Sequence, residues 1–228
     1  MGQKGLIWNF VLPGISFVLM VVALYLVFLW VPKDAEQGNV QRIFYFHVPL
    51  AWIAFLSFFF VFVASIIFLW KGGSRWDNLA YCSGEIGVVF TTLTLISGSI
   101  WAKPIWGIWW TWDARLTTVF ILWLVYIAYL LIRSYAQVTQ ASRFAAIIGI
   151  VGFVNVPITF MAIRWWRTQH PQPIFGGGEE AGLHPSMLLT LMLSLLAITF
   201  LYLLLLRLRF STREIEGEVE ELRESIGR

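Results

Sequence analysis

Cysteine, charge and histidine are all scarce in this chain of 228 residues, and each scarcity excludes something. The single cysteine, Cys82, rules out a disulfide framework, a CxxC redox pair and a thiolate metal cluster within one chain. In its apolar surroundings it reads as a small buried hydrophobe. Charged residues make up 13% of the chain against 59% hydrophobic ones, a balance that soluble domains of this length do not carry. There is no HExxH, no Walker A loop and no Rossmann glycine motif, so neither zinc hydrolysis nor a built-in nucleotide engine has support. No internal repeat is visible either, which speaks against a transporter built from duplicated halves. The formal net charge of +3 sits in loops that orient a membrane protein and is no signal for nucleic acid.

What is present is a series of long apolar runs, over about 7–30, 48–70, 79–99, 116–132, 144–163 and 187–206. About 20 helical residues cross a hydrocarbon core roughly 30 Å thick, and a spanning segment must satisfy its own backbone. The runs are too long and too uniformly apolar for barrel strands. The expected fold is therefore an all-α polytopic membrane protein of six transmembrane helices in contact with lipid. The first run is too long for a signal peptide and ends in Trp30-Val31-Pro32 without a small-residue cleavage site, so it reads as an uncleaved span. Residues 1–206 form one transmembrane domain. Residues 207–228 form a polar tail whose Ser211-Thr212 can cap a helix carrying Ile215, Val219, Leu222 and Ile226 as a stripe among glutamates. That stripe suits either a solvated helix or docking on a cytoplasmic partner.

Orientation follows from lysine and arginine. Ten fall on one side (Lys4, Lys71, Arg75, Arg133, Arg143, Arg207, Arg209, Arg213, Arg223 and Arg228) and six on the other (Lys33, Arg42, Lys103, Arg115, Arg164 and Arg167). Both termini are expected to be cytoplasmic, which gathers the 31–47 loop, the segment after the third span and the 164–186 loop on the outer face. Glu85, about two turns into the third span, is expected to snorkel to the cytoplasmic interface or to be protonated. Pro157 removes a helical hydrogen bond and should kink the fifth span.

Between the third and fourth spans lies WGIWWTWDARLT, 106–117. Trp106, Trp109 and Trp110 are spaced i, i+3, i+4, so a helical turn would align their rings on one apolar face. Asp113 and Arg115 add a carboxylate and a guanidinium at its rim. One or two tryptophans would be an interfacial belt. Five between Trp101 and Trp112, with Asp and Arg directly after, exceed what anchoring needs and suit a large planar ligand with acidic groups. The three histidines, His47, His170 and His184, all fall on that outer side, at or beyond span ends. Imidazole is the common axial ligand of haem iron, haem is flat and apolar in its body, and Arg115, Lys103, Arg164 or Arg167 could meet its propionates. Spacing does not establish that any two histidines converge. A membrane cytochrome b subunit holding haem as a permanent redox cofactor is the rival reading, but it calls for histidine pairs near mid-bilayer. An aromatic-cage transporter for a cationic solute is a third, and would not need histidines.

The stretches QGNVQRIFYFHVP, SGSIWAKPIWGIWWTWDARLT, GFVNVPITF and WWRTQH, spread over about 37–170, resemble the CcmC family of the WWD-domain superfamily, membrane haem handlers of c-type cytochrome maturation. The resemblance implies haem b bound transiently at the outer face of the cytoplasmic membrane, against the WWD segment (about 101–117). It implies His47 and His170 as axial ligands, and leaves His184 outside any motif. It further implies delivery to the haem chaperone CcmE and partnership with the ABC-type subunits CcmA and CcmB and the small membrane protein CcmD, in a component that is no enzyme. Glu85 and the acidic tail depart from the family pattern.

Overall fold

The computed structural model describes residues 7–135, 138–171 and 183–226, so Lys4 and Arg228 of the charge count lie outside the described residues. Six helical segments are long and apolar enough to cross a membrane: Asn9–Trp30, Asn39–Lys71, Ser74–Trp106, Ala114–Ser134, Gln140–Trp165 and Pro185–Ile226. The chain is a six-helix membrane protein, with no strand among its described residues. Within these segments we label α1 (Leu12–Tyr25), α2 (Phe44–Lys71), α3 (Ser74–Trp106), α4 (Ala114–Tyr135), α5 (Val138–Phe153), α6 (Asn155–Trp165) and α7 (Pro185–Ile226). Short π-helical runs extend α1 on both sides, to Ile7 and to Trp30.

Helices α2 and α3 form the central hairpin, closed by Gly72 and Gly73, both at positive φ where other residues would be strained. Helices α4 and α5 pack on one side of the hairpin and α7 on the other, with α1 against α7. Lipid tails are as apolar as leucine, so close packing rather than hydrophobicity joins such helices. The glycines show this: a Cβ at Gly87 would fall 2.5 Å from Phe58, and one at Gly149 would fall 2.8 Å from Val61. In the core between them, Tyr126 stacks on Phe58 at 3.7 Å and donates to the Gly149 carbonyl at 3.0 Å.

Several sequence expectations change here. The spans are longer than their most apolar stretches, because polar residues continue the helices past the hydrocarbon. Thus α2 starts at Phe44 and takes His47 into its first turn, and α3 runs on to Trp106. The tail is no separate capped helix, since α7 continues unbroken from Pro185 to Ile226 and Thr212 bonds back to the Leu208 carbonyl. Glu85 does not stand alone. Its two oxygens accept from Arg209 Nε (2.6 Å) and Nη2 (3.3 Å), which ties α7 to α3. At that same end Asp77 accepts from Arg133 at 2.6 Å and from Ser142 at 2.9 Å. The break around Pro157 is real: α5 stops at Phe153 and α6 restarts at Asn155, whose side-chain amide donates to the Thr118 carbonyl.

Candidate functional site

A cleft opens at the end of the bundle opposite these ion pairs. It holds about 890 Å³ of empty space, its mouth included. His47 from α2, Gly98 and Trp101 from α3, Trp106 and Trp110 around the end of α3, Arg115 from α4 and His170 from the segment after α6 all line it. Its wall has the composition usual for small-molecule sites, mostly apolar with a few polar groups aimed inward.

Each polar group is held by its own element. The His47 ring is placed by α2, and its Nδ1 lies 3.0 Å from Ser97 Oγ on α3. Trp101 meets that ring edge-on at 5.7 Å, while its indole N–H donates to Gln37 Oε1 at 2.9 Å. Gln37 is positioned in turn by Asp34, whose carboxylate accepts the Gln37 backbone N–H, and by Gly38 at φ 58°. Arg115 Nη1 donates to the Thr159 carbonyl at 2.6 Å, bracing the cleft wall against α6 near the helix break. Its Nε and Nη2 have no protein acceptor among the described residues. The His170 backbone N–H donates to Thr168 Oγ1, and its Nδ1 lies 3.0 Å from the Pro171 carbonyl. A carbonyl only accepts, so His170 carries its proton on Nδ1 and leaves the Nε2 lone pair for another partner. Burial, followed by the positive charge of Arg115, lowers the His170 pKa to about 4. The ring is therefore neutral at neutral pH.

One group is conspicuous for lacking a partner. Trp110 Nε1 is buried at the cleft with no acceptor among the described residues. A buried N–H left unbonded costs about 1–3 kcal/mol, a cost that an acceptor on a bound molecule would remove.

The aromatic segment itself differs from its expected form. Helix α3 ends at Trp106, where Gly107 takes the left-handed conformation and donates its N–H to the Lys103 carbonyl. No helical face therefore joins Trp106, Trp109 and Trp110. Trp109 and Trp112 are exposed, at 57% and 73%, and neither lines the cleft. Asp113 does not line it either. Its Oδ1 accepts the backbone N–H groups of Arg115 and Leu116 and its Oδ2 accepts from Thr111, so it caps the start of α4. Lys103 bonds the Gly107 carbonyl. His184 is exposed and away from the cleft, with Nδ1 near Ser186 at the start of α7.

The match to known proteins covers nearly the whole of this arrangement. The family profile CcmC, described as Heme exporter protein C, matches residues 4–224. The chain belongs to the CcmC family. Among relatives named Heme exporter protein C, that of Bradyrhizobium diazoefficiens is 34% identical over 85% of this chain and 74% of its own length. The Escherichia coli K12 protein is 37% identical over 68% of this chain and 64% of its own. A ccmC-like mitochondrial protein of Marchantia polymorpha, named for cytochrome c biosynthesis, is 34% identical over 84% of this chain and 81% of its own. Around this cleft, three contributors escape a reading of residue types alone: Ser97, Gly98 and Gln37 are small or neutral and carry no chemical signature. Their only trace is position, since all three lie inside the motif stretches.

Proposed function

We propose that this protein handles haem for c-type cytochrome biogenesis by holding it in the cleft between His47 and His170. Haem here is cargo, bound and passed on. The observation that carries this reading is that two imidazoles far apart in sequence line one apolar cleft together with an unpartnered indole N–H and an arginine. Imidazole Nε2 atoms suit the iron, the Trp101, Trp106 and Trp110 rings suit the macrocycle, and Arg115 with Trp110 Nε1 suit the propionates. Trp109, Trp112 and Asp113 act from outside the cleft: the two exposed rings present an aromatic surface beside its mouth, and Asp113 fixes the start of α4.

In this reading the site faces the outside of the inner membrane and both termini are cytoplasmic, supported by the lysine and arginine bias. Haem b is held transiently and delivered to the chaperone CcmE, with CcmA, CcmB and CcmD as partners, as family membership suggests. The protein is a delivery component. It orients haem and holds its iron while the covalent bond to the chaperone uses the chaperone's own nucleophile.

Spectra of the purified chain with haem provide the test. His47→Ala and His170→Ala should each perturb the haem spectrum, and the double variant should lose most bound haem. Added imidazole should partly refill a vacated position in the single variants, because the aromatic walls remain. His184→Ala should do neither. If His184→Ala empties the site while His170→Ala binds normally, the second ligand is wrong.

A further inference from the structure

The geometry points to Ser97 as the residue that fixes the His47 ring in the form able to bind iron, so that Ser97 is a positioning residue for the haem site; this rests on the haem reading above. A histidine offers iron a lone pair on one ring nitrogen only when its proton is held on the other, and such outer partners orient the ring and raise its basicity. Ser97 Oγ lies 3.0 Å from His47 Nδ1 and donates its own proton to the Thr94 carbonyl at 3.2 Å. A hydroxyl has one proton to give. When that proton goes to Thr94, the serine oxygen accepts from His47, which places the imidazole proton on Nδ1 and leaves the Nε2 lone pair for iron.

The relay is local to α3, since Ser97 and Thr94 lie within one turn of that helix. The neighbouring residue completes the cradle. A Cβ at Gly98 would stand 2.9 Å from His47 Cε1 and 3.5 Å from Nδ1, so any side chain there pushes the ring off its serine. Ser97 therefore supplies the bond and Gly98 the room for it. Trp101, one helical turn after Ser97, closes the cradle edge-on. Residues 97–101 of one helix thus set position, tautomer and tilt of a ligand borne by another.

The chain has only three histidines, so imidazole ¹⁵N resonances of the full-length protein in detergent micelles can be followed individually, His47 being assigned by its loss in His47→Ala. In the haem-free protein His47 should show a protonated Nδ1 and an unprotonated Nε2. Ser97→Ala should draw the two resonances toward a common average while leaving those of His170 and His184 in place, which reports that the fold is intact. The same substitution should weaken haem binding by about tenfold, the lower end of what outer partners of metal ligands contribute. Ser97→Thr keeps the hydroxyl and should restore both readouts, and Gly98→Ala should disturb both. A wild-type proton on Nε2, unmoved His47 resonances in Ser97→Ala, or haem affinity unchanged by that substitution would each overturn the assignment. A wild-type chain that takes up no haem overturns the haem reading itself, and with it the role toward iron, while the resonances still decide the tautomer.

Discussion

At the scale of single residues, the cleft separates two uses of tryptophan that the sequence presents side by side. Trp101 has its N–H satisfied by Gln37 and serves to hold the His47 ring, whereas Trp110 Nε1 is buried without an acceptor among the described residues. An unmet donor in the wall carries a cost that a ligand's acceptor would remove. Replacing Trp110 by phenylalanine keeps an aromatic ring there and deletes the donor. Haem with its propionates intact should then bind about tenfold more weakly, the equivalent of about 1.4 kcal/mol. Haem dimethyl ester, which lacks the charge, should lose less between wild type and Trp110→Phe. Equal losses for both, measured by equilibrium titration, would mean that the indole supplies surface and no hydrogen bond.

At the scale of elements, the site is made by helix ends. Helix α3 is stopped by Gly107, α4 is started by Asp113, and the span containing α5 and α6 is broken next to Asn155. Each boundary fixes a cleft residue: Trp106 is the last residue of α3, Arg115 the second of α4, and the Thr159 carbonyl that receives Arg115 lies in α6. Removing the cap should therefore affect stability and binding together. Asp113→Ala should destabilise the start of α4 by about 1 kcal/mol, while Asp113→Asn, which can still accept the Leu116 N–H, should cost only a fraction of that. Thermal unfolding of the two variants in the same detergent checks this. A large binding defect in Asp113→Asn with unchanged unfolding would instead give the carboxylate a direct role toward haem.

At the scale of the molecule, the two ends of the bundle do different work. One carries the cleft; the other is tied by Arg133–Asp77 and by Arg209 between Glu85 and Glu216. Helix α7 runs through both ends, so its lower half can be altered without touching a cleft residue. Arg209→Ala would leave Glu85, 29% exposed, without its partner and should destabilise the protein by roughly 1–3 kcal/mol, below the range for fully buried pairs. Combining it with Glu85→Gln should recover most of the loss, because no charge is then stranded. Haem affinity measured below the unfolding transition should be unchanged in either variant. A lowered affinity there would show that the two ends are coupled.

The apolar runs by themselves determined that the chain crosses a membrane six times, since about 20 predominantly apolar residues have no other favourable place and only a helix satisfies their backbone. The motif stretches, through the family they resemble, were enough to name His47, His170, Trp101, Trp106, Trp109, Trp110, Trp112, Asp113 and Arg115 as candidates. Tertiary structure decided the rest. That Glu85 meets Arg209, 124 positions later, is a matter of helix packing and leaves no local mark. That Trp109 and Trp112 turn away from the cleft follows from one left-handed glycine, which ends the helix that an i, i+3, i+4 spacing had suggested. Ser97 and Gly98 count only because α2 sets an imidazole against them, a relation between two helices that a one-dimensional pattern does not contain.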